Sequence, residues 1–361
     1  MITSEKIVNL VAGLLAQLYS ALGLQGIAGI LDRVVCAVVM FALVSGFVTF
    51  LVWMERKVSA WMQSRIGPNR VGPFGLLQTI ADAIKLTTKE DVKPAKRDKF
   101  PYFIAPILAF VATFMGLIVV PFDDKVVVAD LNIGVLYIIA ITSFTVIAIL
   151  SAGWSSNNKY SLLGGFRSAA QIVSYEVPLV LSLVPIIMIT GTLNFSKIVE
   201  YQAQPGNHWF VFLQLPAFLI FVAAATAEAN RAPFDIPEAE SELTGGFHTE
   251  YSGVKFAMFF LGEYIAIVVS TAVAATVFLG GWLPVHTYIP FVDHLLGMIP
   301  GIVWFVGKVL ALIYVIMAFR WTFPRLRVDQ LMDFGWKVLI PIAIVNILVT
   351  GGIVLAMGGG N

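Results

Sequence analysis

Apolar residues along this chain gather into eight long runs, at 34–53, 100–122, 133–154, 168–192, 209–226, 256–283, 302–319 and 338–357. A helix rises 1.5 Å per residue and a hydrocarbon core is about 30 Å thick, so a run of roughly 18–28 residues predicts a membrane crossing. Prolines inside the runs (Pro106, Pro178, Pro185, Pro341) predict kinks rather than breaks. After the first run, Met54, Val58, Trp61 and Met62 form an apolar stripe with Glu55, Arg56, Gln63 and Arg65 on or near the other face, which predicts an amphipathic helix at the membrane surface. The turn cluster GPNRVGPFG follows, and then a second stripe of Leu76, Leu77, Ile80 and Ile84 opposite Asp82 and Lys85. Ile7, Val8, Val11, Leu14, Leu15 and Leu18 share one face near the start and predict an interfacial helix; a signal peptide is the rival reading, weakened because Glu5 and Lys6 cancel and no clear cleavage site follows. The pattern thus predicts an all-α, polytopic membrane protein: an interfacial segment over 1–29, then an eight-helix domain over 30–361 with large loops at 54–99, 153–168, 227–255 and 320–337 on one side.

Composition removes whole classes of function. With 58% hydrophobic and 12% charged residues and a mean hydropathy of +0.87, the chain is not a soluble globule with a polar exterior. A single cysteine, Cys36, excludes a disulfide framework and any cysteine-rich iron–sulfur or zinc site. His208, His248, His286 and His294 show no ligand spacing, and there is neither a phosphate-cradling loop nor a dinucleotide fingerprint. The chain is expected to hold no redox cofactor and no nucleotide of its own. Of the 23 basic residues, 18 fall in the four large loops, so those loops are expected on the cytoplasmic or matrix face and both termini on the opposite face. Concentrating the elaborate loops on one face argues for a large partner docked there; for the basic residues alone, contact with lipid phosphates is the plain alternative.

The acidic residues are distributed less evenly. Residues 226–264 hold Glu228, Asp235, Glu238, Glu240, Glu242, Glu250 and Glu263 against only Arg231 and Lys255. Ordinary helix starts in a solvated loop would explain some of these charges. They do not explain Glu228, which closes the fifth run, Glu263, which lies inside the sixth, or Glu176, which lies inside the fourth. An unpaired ionised carboxylate at membrane depth costs on the order of 2.5–3.5 kcal/mol and is normally kept for proton or ion handling. If the three converge, mutual repulsion and desolvation would let them exchange protons near neutral pH. The alternative is three separate residues hydrogen-bonded to backbone or to Ser and Thr. Lys308, inside the seventh run, is placed to snorkel outward and receives no role.

Four stretches, ERKVSAWMQSRIGPNRVGPFGLLQTIADAIKLTTKE, GWSSNNKYSLLGGFRSAAQIVSYE, AEANRAPFDIPEAESELTGGFHTEYSG and PRLRVDQLMDFGWK, cover all four large loops. Together they closely resemble the H-type membrane subunit family of respiratory complex I, found in bacterial NADH:quinone oxidoreductase and as a mitochondrially encoded homologue. The resemblance implies an eight-helix subunit of a proton-pumping enzyme, without catalytic activity alone, that forms much of the quinone tunnel. By motif match it implies that Arg56, Gln63, Arg65, Asp82 and Arg320 line the polar part of that tunnel, with Phe259 and Phe260 on its apolar wall. It implies that Asp235, Glu238, Glu240, Glu242 and Glu250 belong to an acidic loop, and that Glu176, Glu228 and Glu263 carry protonation change into the membrane. Ubiquinone would be the substrate, and FMN and iron–sulfur clusters would reside in partner subunits of the peripheral arm. Small membrane subunits and antiporter-like subunits would be neighbours, in a bacterial inner membrane or, as the alternative, a mitochondrial one. Two other functions are compatible with the residues: the equivalent subunit of a membrane-bound hydrogenase, and a stand-alone proton or cation transporter.

Overall fold

In a computed structural model the described residues are 28–204, 208–236, 243–285 and 296–356; all but the last two residues of the proposed interfacial segment 1–29, and Glu238, Glu240 and Glu242, lie outside them. The described residues form helices and short connections, without a strand. Among the described residues seven helices are long and apolar enough to cross a membrane, counting Val328–Ala356 as one through its π turn. We number the helices in chain order: α1 Ala28–Met62, α2 Gln78–Thr88, α3 Lys99–Gly116, α4 Gly134–Ser155, α5 Lys159–Thr190, α6 Phe195–Ala203, α7 Phe210–Leu213, α8 Leu215–Glu228, α9 Gly253–Phe278, α10 Gly301–Thr322, α11 Val328–Asp333 and α12 Ile340–Ala356.

The first departure from the sequence pattern is α1. The first run and the amphipathic stretch after it are one helix of 35 residues rather than a crossing followed by a separate surface helix. No glycine or proline falls between Phe47 and Ile66 to stop it. Its last turns also face differently from the expected stripe. Trp61 is 72% exposed, whereas Glu55 is 6% exposed beside Leu51 and Val58. The chain then reverses at Ser64 (φ 53°) and closes the 67–75 turn at Gly75 (φ 77°), where a Cβ would meet the Pro68 carbonyl oxygen at 2.2 Å.

The fifth run is the second departure. It is split into α7, of four residues, and α8, of fourteen, so it falls short of a continuous crossing. Pro216 has no N–H and its ring conflicts with the preceding turn, so α7 stops and α8 restarts with proline in its first turn. Gln214 fills the break. Its Nε2 donates to Thr350 Oγ1 (3.0 Å), and its Oε1 accepts from Asn346 Nδ2 (2.9 Å), tying the break to α12. Pro341 acts on the eighth run in a milder way: the six-residue π turn Phe334–Leu339 sits directly ahead of it, where the 337 carbonyl has no proline N–H to bind. Helices α3 and α5 continue through Pro106, Pro178 and Pro185.

Helices α3, α4, α5 and α8 pack in succession, and α9 closes the group against α3, α8 and α10. Small residues set these contacts. Ala217, Ala224, Ala225 and Ala227 on α8, and Ala272, Ala274 and Ala275 on α9, are all buried. In lipid, where burial of apolar surface gains little, such close approach is the main source of helix association. A second cluster holds the 243–252 segment onto α3–α5: Tyr102 and Tyr251 stack at 4.3 Å, Tyr102 Oη donates to the Glu250 carbonyl (2.7 Å) and Ser161 Oγ donates to the Phe247 carbonyl (2.9 Å). Burial pushes the Tyr251 phenol up to about 12, so it stays a neutral donor at physiological pH. On α10, the Lys308 side chain is buried, and its Nζ donates to the carbonyls of Leu279 (2.7 Å), Gly281 (2.8 Å) and Leu283 (2.6 Å) while lying 4.2 Å from the Trp209 ring centroid.

Gln214→Leu removes both bonds from the break to α12. Intramembrane hydrogen bonds average about 0.6 kcal/mol each, so the variant is expected to lose about 1 kcal/mol of stability. Asn346→Leu should cost less, and the double variant should fall short of the sum. A denaturant titration of the detergent-solubilised complex checks this; strict additivity would show that Gln214 and Asn346 are not coupled.

Candidate functional site

Four elements meet on the buried carboxylate of Glu55. Helix α1 supplies Glu55, the connection after α8 supplies Arg231, α9 supplies Tyr264 and α10 supplies Arg320. Arg231 Nη1 donates to both carboxylate oxygens (3.0 and 3.1 Å), Arg320 Nη1 donates to Oε1 (2.6 Å), and Tyr264 Oη donates to Oε2 (2.6 Å). The Arg231 guanidinium also lies over the Tyr264 ring, 4.4 Å from its centroid. Burial is the largest single influence on Arg231 and works against its charge, but Glu55, Tyr264 and Glu263 together outweigh it, so the guanidinium is held above its already high range. One carboxylate facing two guanidiniums leaves the group with net positive charge. A buried pair of this kind is destabilised by about 3–5 kcal/mol when a single partner is removed.

A polar pocket of about 460 Å³ opens beside this cluster, bounded by Arg56, Ser59, Arg65, Asp235, Phe260, Glu263, Trp321 and the Glu55 group itself. That volume suits a small organic head group. The pocket gathers Arg56, Arg65, Arg320 and Phe260, four of the residues singled out from sequence for a tunnel wall. Asp82 and Gln63 stand one hydrogen bond behind: Arg56 Nη1 donates to Asp82 Oδ2 (2.6 Å), and Arg65 Nε donates to Gln63 Oε1 (2.6 Å). Asp235, expected in the acidic loop, accepts from Arg325 Nη2 (2.7 Å) at the pocket edge. Phe259 is elsewhere. Successive residues on a helix point about 100° apart, so Phe259 and Phe260 face different spaces.

The space that Phe259 faces is a second cavity, of about 90 Å³, which also brings together Glu176, Glu228 and Glu263. Thr142, Thr145 and Ser270 line it among apolar side chains. A water needs about 10–15 Å³ on this measure, so several fit. Ser143 donates to Glu176 Oε1. Glu228 lines the same cavity as Glu176 and Thr142. Glu263 and Asn230 border both this cavity and the polar pocket. Asn230 turns the chain at the end of α8 with φ 50°, a conformation asparagine tolerates. Glu250 reaches neither cavity; its Oε1 accepts from Asn158 Nδ2 (2.5 Å).

Glu55, Arg231 and Tyr264 were not among the residues expected to form a site. The signal for Glu55 was present: it shares a helical face with Leu51 and Val58, which are 0% and 4% exposed, so continuing the apolar run past Trp53 places its carboxylate in the core. Arg231 follows three residues after Glu228, where one of only two basic residues in an acidic stretch is a ready counter-ion. Among the described residues no group of three His, Cys, Asp or Glu side chains could hold a metal ion.

The family model described as NADH dehydrogenase matches residues 35–351. The H subunit of NADH-quinone oxidoreductase from Brevibacillus brevis (strain 47) is 52% identical over 326 residues, covering 90% of this chain and 94% of the relative. The subunits of the same name from Bacillus thuringiensis subsp. konkukian and Bacillus anthracis (strain CDC 684) are each 51% identical over 315 residues, covering 87% of this chain and 91% of theirs. The match takes in the Glu55 cluster and every residue that lines the two cavities, and on it the chain belongs to the family of the NADH-quinone oxidoreductase H subunit, a membrane subunit of respiratory complex I.

Proposed function

We propose that the polar pocket receives the head group of a quinone and that quinone reduction there is felt by the three-carboxylate cavity through the wall they share. The observation that carries this reading is that Glu263 and Asn230 line both spaces. Quinone takes two electrons and two protons to become quinol. Transient negative charge on its oxygens would be favoured by Arg56, Arg65 and Arg320, and a change of charge in the pocket alters which of Glu263, Glu228 and Glu176 hold protons. The chain's role is to bind, orient and couple. Electrons come from iron–sulfur centres in peripheral-arm partner subunits fed by FMN, and onward proton movement continues into neighbouring membrane subunits. In the membrane, α7 and α8 act together as the eighth crossing: residues 210–228 would reach about 28 Å at helical rise. The basic loops face the cytoplasm and both termini face outward.

Two experiments address this reading. Glu228→Gln and Glu263→Gln are expected to leave NADH oxidation by a water-soluble acceptor intact while lowering both quinone reduction and protons moved per electron; an unchanged proton-to-electron ratio in both variants defeats the coupling. Glu55→Gln removes the charge shared by Arg231 and Arg320 and is expected to lower kcat/KM for a short-tailed ubiquinone on the order of tenfold, about 1.4 kcal/mol. Glu55→Asp should recover part of that loss. Wild-type quinone kinetics in an assembled Glu55→Gln complex would remove the cluster from the site.

A further inference from the structure

The connection between the two spaces, from Ala229 to Ile236, has no regular secondary structure to hold it. One side chain supplies much of what is missing. Gln171 on α5 is 2% exposed, and its Nε2 donates to the carbonyls of Ala227 (2.8 Å) and Phe234 (2.7 Å) and, at 3.2 Å, to Asn230 Oδ1. A primary amide nitrogen carries two hydrogens, so the carbonyls take the short bonds and Asn230 shares. Asn230 Nδ2 in turn donates to Ser168 Oγ (3.3 Å), one turn before Gln171 on the same helix face.

The orientation of this amide is fixed by repulsion as well as by attraction. Turned over, its oxygen would face three acceptors. In the observed orientation Oε1 is buried without a hydrogen-bond partner, a destabilising arrangement that the bonds on the nitrogen side must outweigh. Those bonds act at consequential points. Ala227 precedes Glu228, Asn230 borders both spaces, and Phe234 precedes Asp235 at the pocket edge. The Phe234 ring also lies 5.6 Å from that of Tyr175, the neighbour of Glu176. Gln171 itself lines neither space.

We infer that Gln171 is a positioning residue for coupling: its amide holds the wall between the polar pocket and the carboxylate cavity in the one geometry that lets each respond to the other. The inference rests on the two-space reading above. It adds that the wall is a fixed part, clamped over 227–234.

The test uses the whole complex in its membrane, with a short-tailed ubiquinone as probe. Assembly is counted by NADH oxidation with a water-soluble acceptor, and the readouts are apparent KM for the quinone and protons moved per electron. Gln171→Leu abolishes the clamp, and Gln171→Glu keeps the shape but sets a carboxylate against three acceptors. Both are expected to raise KM at least threefold and to lower the proton-to-electron ratio by a third or more in assembled complex, with Ser168→Ala giving a smaller change in the same direction. A merely structural glutamine would reduce the amount of complex and leave KM and the ratio alone. Wild-type KM and ratio in either assembled Gln171 variant, alongside a lowered ratio in Glu228→Gln, overturns the assignment and spares the two-space reading. Wild-type ratios in Glu228→Gln and Glu263→Gln as well defeat that reading and this one together. If neither Gln171 variant assembles, Ser168→Ala decides: an unchanged KM and ratio there also overturns the assignment.

Discussion

Everything at this end of the bundle depends on one buried carboxylate. Glu55 is surrounded by two guanidiniums and a phenol contributed by three other elements, and the buried Arg231 cannot lose it without being left as an uncompensated charge. The helices bring little hydrophobic force to this junction, since lipid is as apolar as their side chains. Charge satisfaction therefore takes over the work that burial does in a soluble protein. It sets where α1, α9 and α10 converge and so shapes the pocket beside them.

The two spaces differ in kind. The pocket is wide and carries excess cationic groups; the inner cavity is narrow and holds three carboxylates among apolar walls and threonines. Opposite charge character on the two sides of a thin wall, with Glu263 and Asn230 reaching both, is the arrangement that the proposed coupling draws on. The wall is built from irregular backbone, whose buried polar groups must be satisfied by partners from the protein or from enclosed water. The Gln171 amide supplies that satisfaction.

The helical architecture was legible because membrane spans announce themselves by length and polarity. What length did not reveal was where a span fails. The fifth run reads as continuous in hydropathy, and only Pro216, two positions after Gln214, carries the local signal for its division. The three intramembrane acids were found from depth alone, and they do share a cavity. Pocket residues that depend on tertiary pairing were less visible. Glu55 looks like one more charge at the end of a run until its neighbours on the same face are counted, and Phe259 looks equivalent to Phe260 until the helical angle between adjacent residues separates them. Glu250 belongs to the acidic stretch by sequence and to Asn158 by geometry.

Lys308 shows how a buried charge can be taken out of circulation. Its ammonium has three hydrogens, and three carbonyl oxygens beyond the end of α9 accept them, with an indole face alongside. With every hydrogen engaged, this side chain closes off the carbonyls that follow α9 and fastens them to α10. Freeing Lys308 would mean breaking three hydrogen bonds at once, which makes the two halves of α9 unequal: one borders the two spaces at Glu263, and the other is fastened to α10 beside Trp209.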